Sequence, residues 1–337
     1  MSAHAWFNRK WYERSGAPWW LLPLSGLYGA VSAARRYSYE HRWRYSVRLD
    51  RPVIVIGNLT VGGTGKTPLV CWLAEQLAKR GAAPGIVTRG YGGGTAQPIL
   101  VQSDNEPAAV GDEALLLRQR THRPVAVGRD RPAAAQLLIE AGCDVILSDD
   151  GLQHYALQRD CEIVVIDGER RFGNGSLLPA GPLREPVARL ARVDAVVVNG
   201  GPGHSHGANE LRMDLEGSAA VALIGGAAKP LAEFSGQTVH AVAAIGNPQR
   251  FFALLRSKGI EVIEHPLADH ATLLRQDICF ADGLPVLMTE KDAVKCAKIA
   301  ASEHWYVPVG AIFQARDAEA LLGIVVDAIG RRLARVS

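Results

Sequence analysis

The chain has 337 residues, enough to bury the core of one large domain or of two medium ones. Hydrophobic residues make up 48% of the chain and charged residues 21%, which excludes an intrinsically disordered protein and a multi-pass membrane protein. The net charge of +3 arises locally, because residues 1–50 contain eight Lys and Arg against three acidic residues. Five scattered cysteines form no CxxC pair and no metal-ligand spacing, which indicates a reducing cytosolic setting.

An uncharged stretch, APWWLLPLSGLYGAVSAA at residues 17–34, lies between basic and aromatic flanks. A signal peptide, a membrane-spanning helix and a buried helix are the alternatives to an interfacial segment. The preceding stretch is long and aromatic for a signal peptide, and prolines and glycines interrupt a run that barely reaches the ~20 residues of a spanning helix. An interfacial segment explains this composition, because its tryptophans would lie at the level of the lipid headgroups and its flanking arginines would bind lipid phosphates. We therefore predict a membrane-associated N-terminal segment, with a helix, at residues 1–48.

From residue 52 onward, short β-branched runs alternate with longer stretches rich in Ala and Leu. Several runs are apolar along their whole length, which is typical of a parallel sheet covered by helices on both faces. We predict an α/β fold of the P-loop NTPase type, with a doubly wound and mostly parallel sheet, for a core domain at 49–215. Its predicted strands are 52–57, 84–88, 98–102, 124–128, 144–148, 161–167 and 194–198. Its predicted helices are 66–80, 112–121, 131–142 and a short one after Gly181.

A polar stretch around 200–210 is predicted to be a loop, in which His204 and His206 are disfavoured as metal ligands. A second α/β pattern follows, and we predict a smaller C-terminal α/β domain at 216–337. Its predicted strands are 239–245, 260–264, 285–289 and 305–309, and its predicted helices are 247–258, 291–300 and 316–334.

The sequence VGGTGKTP at residues 61–68 lies between a predicted buried strand and a predicted helix. Glycines in such a loop let successive backbone N–H groups turn toward one anion, and a glycine-rich turn without a ligand is the alternative. Thr60 stands where the pattern GxxxxGK[ST] has its first glycine. We predict that Lys66 bridges the β- and γ-phosphate oxygens of ATP and that Thr67 binds Mg²⁺. The predicted nucleotide-binding residues are Thr60, Val61, Gly62, Gly63, Thr64, Gly65, Lys66 and Thr67.

Two acidic pairs stand at the ends of predicted elements. Asp149 and Asp150 follow the apolar run at 144–148, and adjacent carboxylates there repel each other unless a cation lies near them. A helix N-cap would account for one of these aspartates but not for both. Asp112 and Glu113 open a helix, a position where the helix dipole alone favours acids.

Two arginines follow the predicted strand 124–128 and reach the same edge of the sheet. There, Arg129 and Arg131 can neutralise a transferring phosphate or clamp an anionic substrate. Solvated surface arginines are the alternative.

The glycine-rich loop belongs to an ordered set of motifs. The others are TRGYGG (88–93), VGDEALLL (110–117), SDDGLQH (148–154), RRFGNGSLLPAGPLREP (170–186), AIGNPQRFF (244–252), DH (269–270) and TEKDAVK (289–295). Together they resemble the tetraacyldisaccharide 4'-kinase family, from roughly residue 15 to residue 330. The resemblance implies an ATP-dependent lipid kinase that phosphorylates the 4'-hydroxyl of a tetraacylated glucosamine disaccharide 1-phosphate. The implied product is lipid IVA, in lipid A biosynthesis.

The resemblance also implies roles for individual residues. Asp112 and His270 match a dyad that prepares the hydroxyl, and a carboxylate near an imidazole can accept its proton as attack proceeds. His265 is the alternative histidine of the cleft, and Lys66 is the third catalytic residue. The implied metal ligands are Thr67, Asp149, Asp150 and Glu113. The implied contacts to phosphate groups and to the disaccharide are Arg129, Arg131, Arg171, Asn174 and Arg184.

A lipid acceptor agrees with the N-terminal segment and places the protein on the cytosolic leaflet of the bacterial inner membrane, with no nucleic-acid partner. The main alternative is a P-loop switch or partitioning ATPase without a sugar acceptor, although Val61 replaces the lysine typical of that group. A soluble small-molecule kinase or ligase would leave the N-terminal tryptophans and arginines without a purpose. The TEKD sequence has a purely architectural alternative, in which it caps the following helix.

Overall fold

The computed structural model describes residues 3–12, 16–95, 97–201, 210–269 and 271–335. Three histidines considered above, His204, His206 and His270, lie outside the described residues. The strands are β1 Val53–Gly57, β2 Pro84–Thr88, β3 Ile99–Leu100, β4 Val125–Val127, β5 Val145–Asp149, β6 Cys161–Asp167, β7 Ala195–Asn199, β8 Glu210–Glu216, β9 Ala219–Ala222, β10 Ala228–Pro230, β11 Thr238–Ala243, β12 Glu261–Pro266, β13 Val286–Thr289, β14 His304–Val307 and β15 Gly310–Phe313.

The α-helices are α1 Ala3–Tyr12, α2 Leu22–Glu40, α3 Lys66–Lys79, α4 Pro107–Val110, α5 Asp112–Thr121, α6 Arg131–Glu140, α7 Pro248–Ser257, α8 Arg275–Ile278, α9 Glu290–Cys296 and α10 Ala315–Leu333. Short 3₁₀ helices cover Trp19–Leu21, Val187–Arg192, Leu231–Phe234 and Ala297–Ile299. The helix predicted after Gly181 is therefore a 3₁₀ helix, and the one predicted at 291–300 ends as an α-helix at Cys296.

A nine-stranded sheet forms the larger part of the molecule, in the order β15-β8-β7-β6-β1-β5-β2-β4-β3. The strands from β8 to β4 pair in parallel, whereas β3 and β15 are antiparallel to their neighbours. From β1 the chain moves to one side through β2 and β4, and later to the other side through β6 and β7. The reversal falls at β1, and α/β sheets bind ligands at the carboxyl end of such a point.

Both faces of this sheet are covered, as the apolar strands predict. Ile54 and Ile56 of β1 pack in the core that α3, α5 and α10 cover, and Val53 and Val55 pack in the core that α6 covers. Successive side chains of a strand point to opposite faces, so a strand with helices on both sides is apolar throughout. The doubly wound fold is confirmed.

A six-stranded sheet forms the smaller part, in the order β10-β9-β14-β13-β11-β12. The prediction missed β8, β9, β10 and β15, which are edge or near-edge strands, several of them short or polar. It also placed all of 216–337 in the smaller domain, which is wrong for the chain end: β15 pairs with β8 of the larger sheet, and Leu321 and Val325 of α10 are buried in the larger core. The chain thus returns to the first sheet after completing the second.

The N-terminal helices pack beside the segment 170–186. The Ser25 hydroxyl of α2 donates to Leu177 O at 2.6 Å, and the Trp11 indole donates to Pro179 O at 3.0 Å. Pro23 lies in the first turn of α2, where the missing N–H has no helical partner to lose, so this proline does not interrupt the helix. Among the described helices, none has both the length and the apolar character needed to cross a bilayer.

Candidate phosphate-transfer site

The glycine-rich loop joins β1 to α3 at the point where the strand order reverses. Gly62 and Gly65 have φ angles of 101° and 97°, in the left-handed region that glycine adopts without steric cost. A Cβ on Gly65 would also lie 2.3 Å from the side-chain nitrogen of Asn199. The backbone of the loop therefore requires glycine at these positions.

Two asparagines outside the loop hold its carbonyl groups. Asn58 Nδ2 donates to Gly62 O at 3.2 Å, and Asn199 Nδ2 donates to Thr64 O at 2.8 Å. The C=O and N–H groups of a trans peptide point in opposite directions, so the N–H groups of these two peptides face away from the asparagines. Amides turned to one side form the anion-binding concavity of a phosphate loop.

Asp150 pairs with the lysine of this loop. Lys66 Nζ lies 3.4 Å from Asp150 Oδ1, and Arg184 Nη1 donates to the two Asp150 oxygens at 3.1 and 3.2 Å. Partial burial by itself would raise the pKa of Asp150, but Lys66 and Arg184 outweigh it and hold this pKa well below its usual range. An ionised Asp150 therefore keeps both cations beside the loop.

Asp149, one residue earlier, faces the interior. Burial and the nearby Glu113 raise the pKa of Asp149 to about 7. Its buried Oδ1 atom accepts no hydrogen bond from any described residue. Such an oxygen beside a phosphate loop fits Mg²⁺, which takes one or two carboxylates and completes its shell with water and phosphate oxygens. Thr67, another of the four predicted ligands, is half-buried in the first turn of α3.

Within the described ranges, no three His, Cys, Asp or Glu side chains are grouped to hold a metal ion by themselves. A site that depends on a nucleotide for part of its ligands needs no such group. The residues present therefore fit Mg²⁺ bound together with a phosphate chain.

Arg131 lies behind the two aspartates and is buried. Its Nη1 donates to the Ser148 hydroxyl at 3.0 Å. Burial lowers the pKa of Arg131 to about 10, although Asp150 and Asp149 act in the opposite direction, and the side chain remains charged at neutral pH. Arg129 differs, because its side chain is exposed.

The second acidic pair meets two lysines of α9, a helix connected to the smaller sheet. Lys295 Nζ lies 3.7 Å from Asp112 Oδ2, and Lys291 Nζ donates to Glu113 Oε1 at 3.2 Å. Burial would lower the pKa of Lys291, but Glu113 and Asp112 outweigh it and raise this pKa. Asp112 is itself buried, at 8% exposure. The two lysines thus fix the charges at the start of α5.

Sequence analysis missed these lysines. The architectural interpretation of TEKD is correct in part, because Asp292 N donates to Thr289 Oγ1 at 3.2 Å and so caps α9. The available signal was the i, i+4 spacing of Lys291 and Lys295, which places both on one face of a helix. The contact of that face with α5 depends on the tertiary fold.

Gly246 of the AIGNP sequence and Asp269 bring the smaller part of the molecule against the phosphate loop. A Cβ on Gly246 would lie 2.9 Å from Gly63 N and 3.3 Å from Asp269 Oδ2. Lys291 Nζ lies 3.9 Å from Asp269 Oδ1. Asp269 therefore lies between the loop and α9, next in sequence to the undescribed His270.

His265, the alternative histidine, belongs to another cluster. Its Nε2 lies 2.9 Å from His240 Nδ1, and its ring stacks on Phe280 with the centroids 4.5 Å apart. Burial and His240 lower the pKa of His265. These partners belong to the smaller sheet and its connections, and not to α5 or the phosphate loop.

The three predicted substrate contacts of segment 170–186 have different partners in the structure. Arg171 donates to both carboxylate oxygens of Glu210, at 3.2 and 2.7 Å. Asn174 Nδ2 donates to Ala180 O at 2.9 Å, a bond within its own segment. Arg184 differs from both, because its carboxylate partner, Asp150, also pairs with Lys66 of the phosphate loop.

Comparison with known proteins gives consistent similarities. A family model described as tetraacyldisaccharide-1-P 4'-kinase matches residues 17–326. The tetraacyldisaccharide 4'-kinase of Stenotrophomonas maltophilia is 51% identical over 308 residues, covering 89% of this chain and 91% of that protein. The protein of the same name from Nitrosococcus oceani is 47% identical over 327 residues, 96% of each. A solved "apo" form of LpxK from Aquifex aeolicus in complex with ATP has a TM-score of 0.77 and 27% identity, and covers 92% of this chain and 98% of that one.

Proposed function

Because the chain belongs to the tetraacyldisaccharide 4'-kinase family, we propose that it transfers the γ-phosphoryl group of ATP to the 4'-hydroxyl of a tetraacylated glucosamine disaccharide 1-phosphate. The product is lipid IVA, in lipid A biosynthesis. The observation that supports this proposal best is the closeness of the two acidic pairs beside one phosphate loop. Asp150 pairs with Lys66 of the loop, and Glu113, next to the buried Asp112, lies near enough to Asp149 to raise its pKa.

The loop binds the phosphate chain of ATP through its backbone N–H groups and Lys66. Negative charge spreads over the γ-phosphoryl oxygens during transfer, and fixed cations in a cleft of low dielectric stabilise that charge. Lys66 and Arg184 are held in place beforehand by Asp150, so they need little reorganisation when the nucleotide arrives. The buried guanidinium group of Arg131 adds a further positive charge near Asp149 and Asp150.

Asp112 accepts the proton of the 4'-hydroxyl as this oxygen attacks. A sugar hydroxyl is a weak nucleophile with a high pKa, so a positioned base lowers the barrier. Lys295 Nζ, 3.7 Å from Asp112 Oδ2, places a positive charge beside this carboxylate. The family resemblance assigns His270 as the partner of Asp112.

Mg²⁺ would be held by Asp149 and Thr67, whereas Asp150 and Glu113, the other two predicted ligands, pair with Lys66 and Arg184 and with Lys291. When bound, it neutralises charge on the phosphate oxygens. Binding requires the ionised form of Asp149, which the cation itself favours.

The N-terminal segment would hold the cleft at the cytosolic leaflet of the inner membrane. Leu24, Leu27 and Val31 are 53%, 62% and 62% exposed and form one face of α2, and Trp19 and Trp20 extend it at 80% and 54%. Exposed apolar side chains at helical spacing, with arginines beside them, suit an interfacial helix on anionic lipids. The Ser25 contact ties this helix to segment 170–186.

Vesicle sedimentation tests the membrane assignment. We expect the variant Leu24→Gln/Leu27→Gln/Val31→Gln to bind vesicles at least tenfold less tightly, since each buried leucine contributes roughly 1.5–3 kcal/mol. Its ATP affinity should stay that of the wild type. Equal vesicle binding by variant and wild type would contradict the interfacial helix.

Transfer of label from [γ-³²P]ATP tests the activity. We expect the wild type to label a tetraacyl disaccharide 1-phosphate at the 4'-position, and Lys66→Ala to give no measurable product. The switch or partitioning ATPase hypothesis predicts the opposite result, in which labelled phosphate is released to water while the disaccharide stays unlabelled. No feature of the cleft favours that hypothesis over the family assignment.

A further inference from the structure

A basic pocket lies at the amino edge of the larger sheet. It is a cavity of about 180 Å³ whose charged lining residues are Arg48, Arg159, Asp160, Arg331, Arg332 and Arg335. Arg48 precedes β1 and Asp160 directly precedes β6, whereas the phosphate loop follows the carboxyl end of β1. The pocket and the phosphate loop therefore lie at opposite edges of one sheet.

The positive charges of this pocket outnumber the negative ones. Its single carboxylate, Asp160, lies 3.0 Å from Arg48 Nη2 and 4.0 Å from Arg332 Nε. Arg159 pairs instead with Glu162. With Glu162 included, two carboxylates stand against five guanidinium groups. Those of Arg48, Arg331 and Arg335 are exposed, and like charges gathered at one site repel each other unless an anion lies between them.

Arg332 provides a second, independent observation. It is 9% exposed, and its Nη2 donates to Leu49 O at 2.5 Å. Its Nε atom is buried and donates to no described residue. A buried guanidinium N–H without an acceptor is costly, so Arg332, which lines the pocket, is held there with one of its donors unsatisfied behind the pocket wall.

We propose that this pocket binds a phosphate-bearing anion. The planar forks of arginine match phosphate oxygens in pairs, and the cavity exceeds by several-fold the roughly 30 Å³ that one water occupies. The proposal goes beyond phosphoryl transfer, because none of these arginines belongs to the phosphate-loop site.

Two sources can supply this chemistry, a phosphate free in solution and the headgroup of an anionic phospholipid. A phospholipid headgroup would lie near the pocket, because Arg48 follows α2, the helix proposed to lie on the membrane. Between them, Trp43 and Tyr45 are 75% and 85% exposed. The experiment therefore has one arm for each source.

The first arm measures binding of inorganic phosphate by calorimetry at constant ionic strength. All proteins carry Lys66→Ala, so that the phosphate loop does not compete. The pocket variant is Arg331→Gln/Arg335→Gln, and the matched control is Arg80→Gln/Arg316→Gln. Both variants remove two positive charges, and the arginines replaced in each are exposed. We expect saturable binding that the pocket variant weakens about tenfold or more and the control leaves unchanged.

The second arm compares sedimentation with vesicles of phosphatidylcholine and vesicles that also contain phosphatidylglycerol. A loss of phosphatidylglycerol-dependent binding in the pocket variant, but not in the control, supports the pocket with a lipid as its ligand. A loss in the phosphate arm alone supports it with a soluble ligand. The proposal is overturned if the pocket variant and the control behave alike in both arms, or if the reference protein shows saturable binding in neither.

Discussion

The two acidic pairs of the cleft obtain their counter-charges from different parts of the molecule. Asp149 ends β5 of the larger sheet and Asp150 follows it. Asp149 is buried and has a raised pKa, whereas Asp150 pairs with Lys66 and Arg184 of the same part of the molecule. Asp112 and Glu113 open α5, and each meets a lysine of α9. Two pairs that look alike in sequence are thus set in different electrostatic surroundings.

The difference separates the charges that are paired within the larger part from those that are paired across the contact between α5 and α9. The partners of Asp150, Lys66 and Arg184, both belong to the larger part of the molecule. The environment of Asp112 depends on how α9 is seated. Asp112 therefore has this charged partner only where α9 packs against α5.

The largest expected effect concerns Asp149 and the stability of the nucleotide-free protein. The carboxyl group of an unfolded aspartate has a pKa of about 3.9. Between about pH 4 and pH 7 the folded protein therefore retains a proton on Asp149 that the unfolded chain has released. The free energy of unfolding should fall by about 4 kcal/mol across this window through Asp149 alone. Urea unfolding at several pH values should show this loss in the wild type and in the exposed control Asp104→Asn, but not in Asp149→Asn. Equal pH slopes in all three proteins would contradict the raised pKa.

The next effect concerns the pairing within the larger sheet. Asp150→Asn removes the charge that holds Lys66 and Arg184, so we expect phosphate transfer to fall about a hundredfold. Steady-state kinetics with the lipid acceptor measures this change, again against Asp104→Asn. A fall of less than threefold would show that the two cations are positioned by other contacts.

A smaller effect is expected from the lysine that reaches across the cleft. Lys295→Ala should lower kcat about tenfold with little change in the KM for ATP, because it removes a charge beside Asp112 and not beside the nucleotide. It should also move the acidic limb of the pH profile of kcat to higher pH. Lys295→Arg should recover most of the activity. The matched control is Lys298→Ala, whose side chain is 82% exposed.

For Lys295, the pH profile separates positioning from a general loss of structure. A variant that was only destabilised would lose activity at every pH without a shift of the limb. If the acidic limb of the kcat profile lay at the same pH in Lys295→Ala as in the wild type, Lys295 would not act on the base Asp112.

The smallest effect is the coupling of Lys291 with Glu113. A double-mutant cycle with Lys291→Met and Glu113→Gln should give a coupling free energy of about 0.5–1 kcal/mol in unfolding experiments, since the pair is only partly shielded from solvent. The exposed Lys298 and Glu106 pair provides the control cycle and should show weaker coupling. Equal coupling in both cycles would mean that Lys291 acts as an ordinary surface charge.

Much of the larger sheet could be predicted from sequence because its strands obey one local rule. Strands with helices on both faces are apolar throughout, and the elements 84–88, 161–167 and 112–121 were predicted with their observed bounds. Strand β8, ELRMDLE, lies near the sheet edge and alternates polar with apolar residues. Strand β15 pairs with it from nearly a hundred residues further along the chain, a contact that no local pattern encodes.

The site divides in the same way. The residues of the phosphate loop and Asp150 follow from short motifs at strand ends, where parallel strands bring side chains to one edge. The lysines of α9 required knowledge of how two sheets meet. Arg171 illustrates the reverse difficulty, because its motif indicates a substrate contact while the structure pairs it with Glu210, a residue of the strand that sequence analysis missed.

In the proposed mechanism, Asp112 activates the sugar hydroxyl while the loop around Lys66 holds the nucleotide. Label transfer and ATP binding by Asp112→Asn, beside Asp104→Asn, test it most directly. We predict that transfer falls at least a hundredfold in Asp112→Asn while ATP affinity stays within about threefold of the wild type. Transfer close to the wild-type rate, or a loss of transfer explained entirely by lost ATP binding, would contradict the claim.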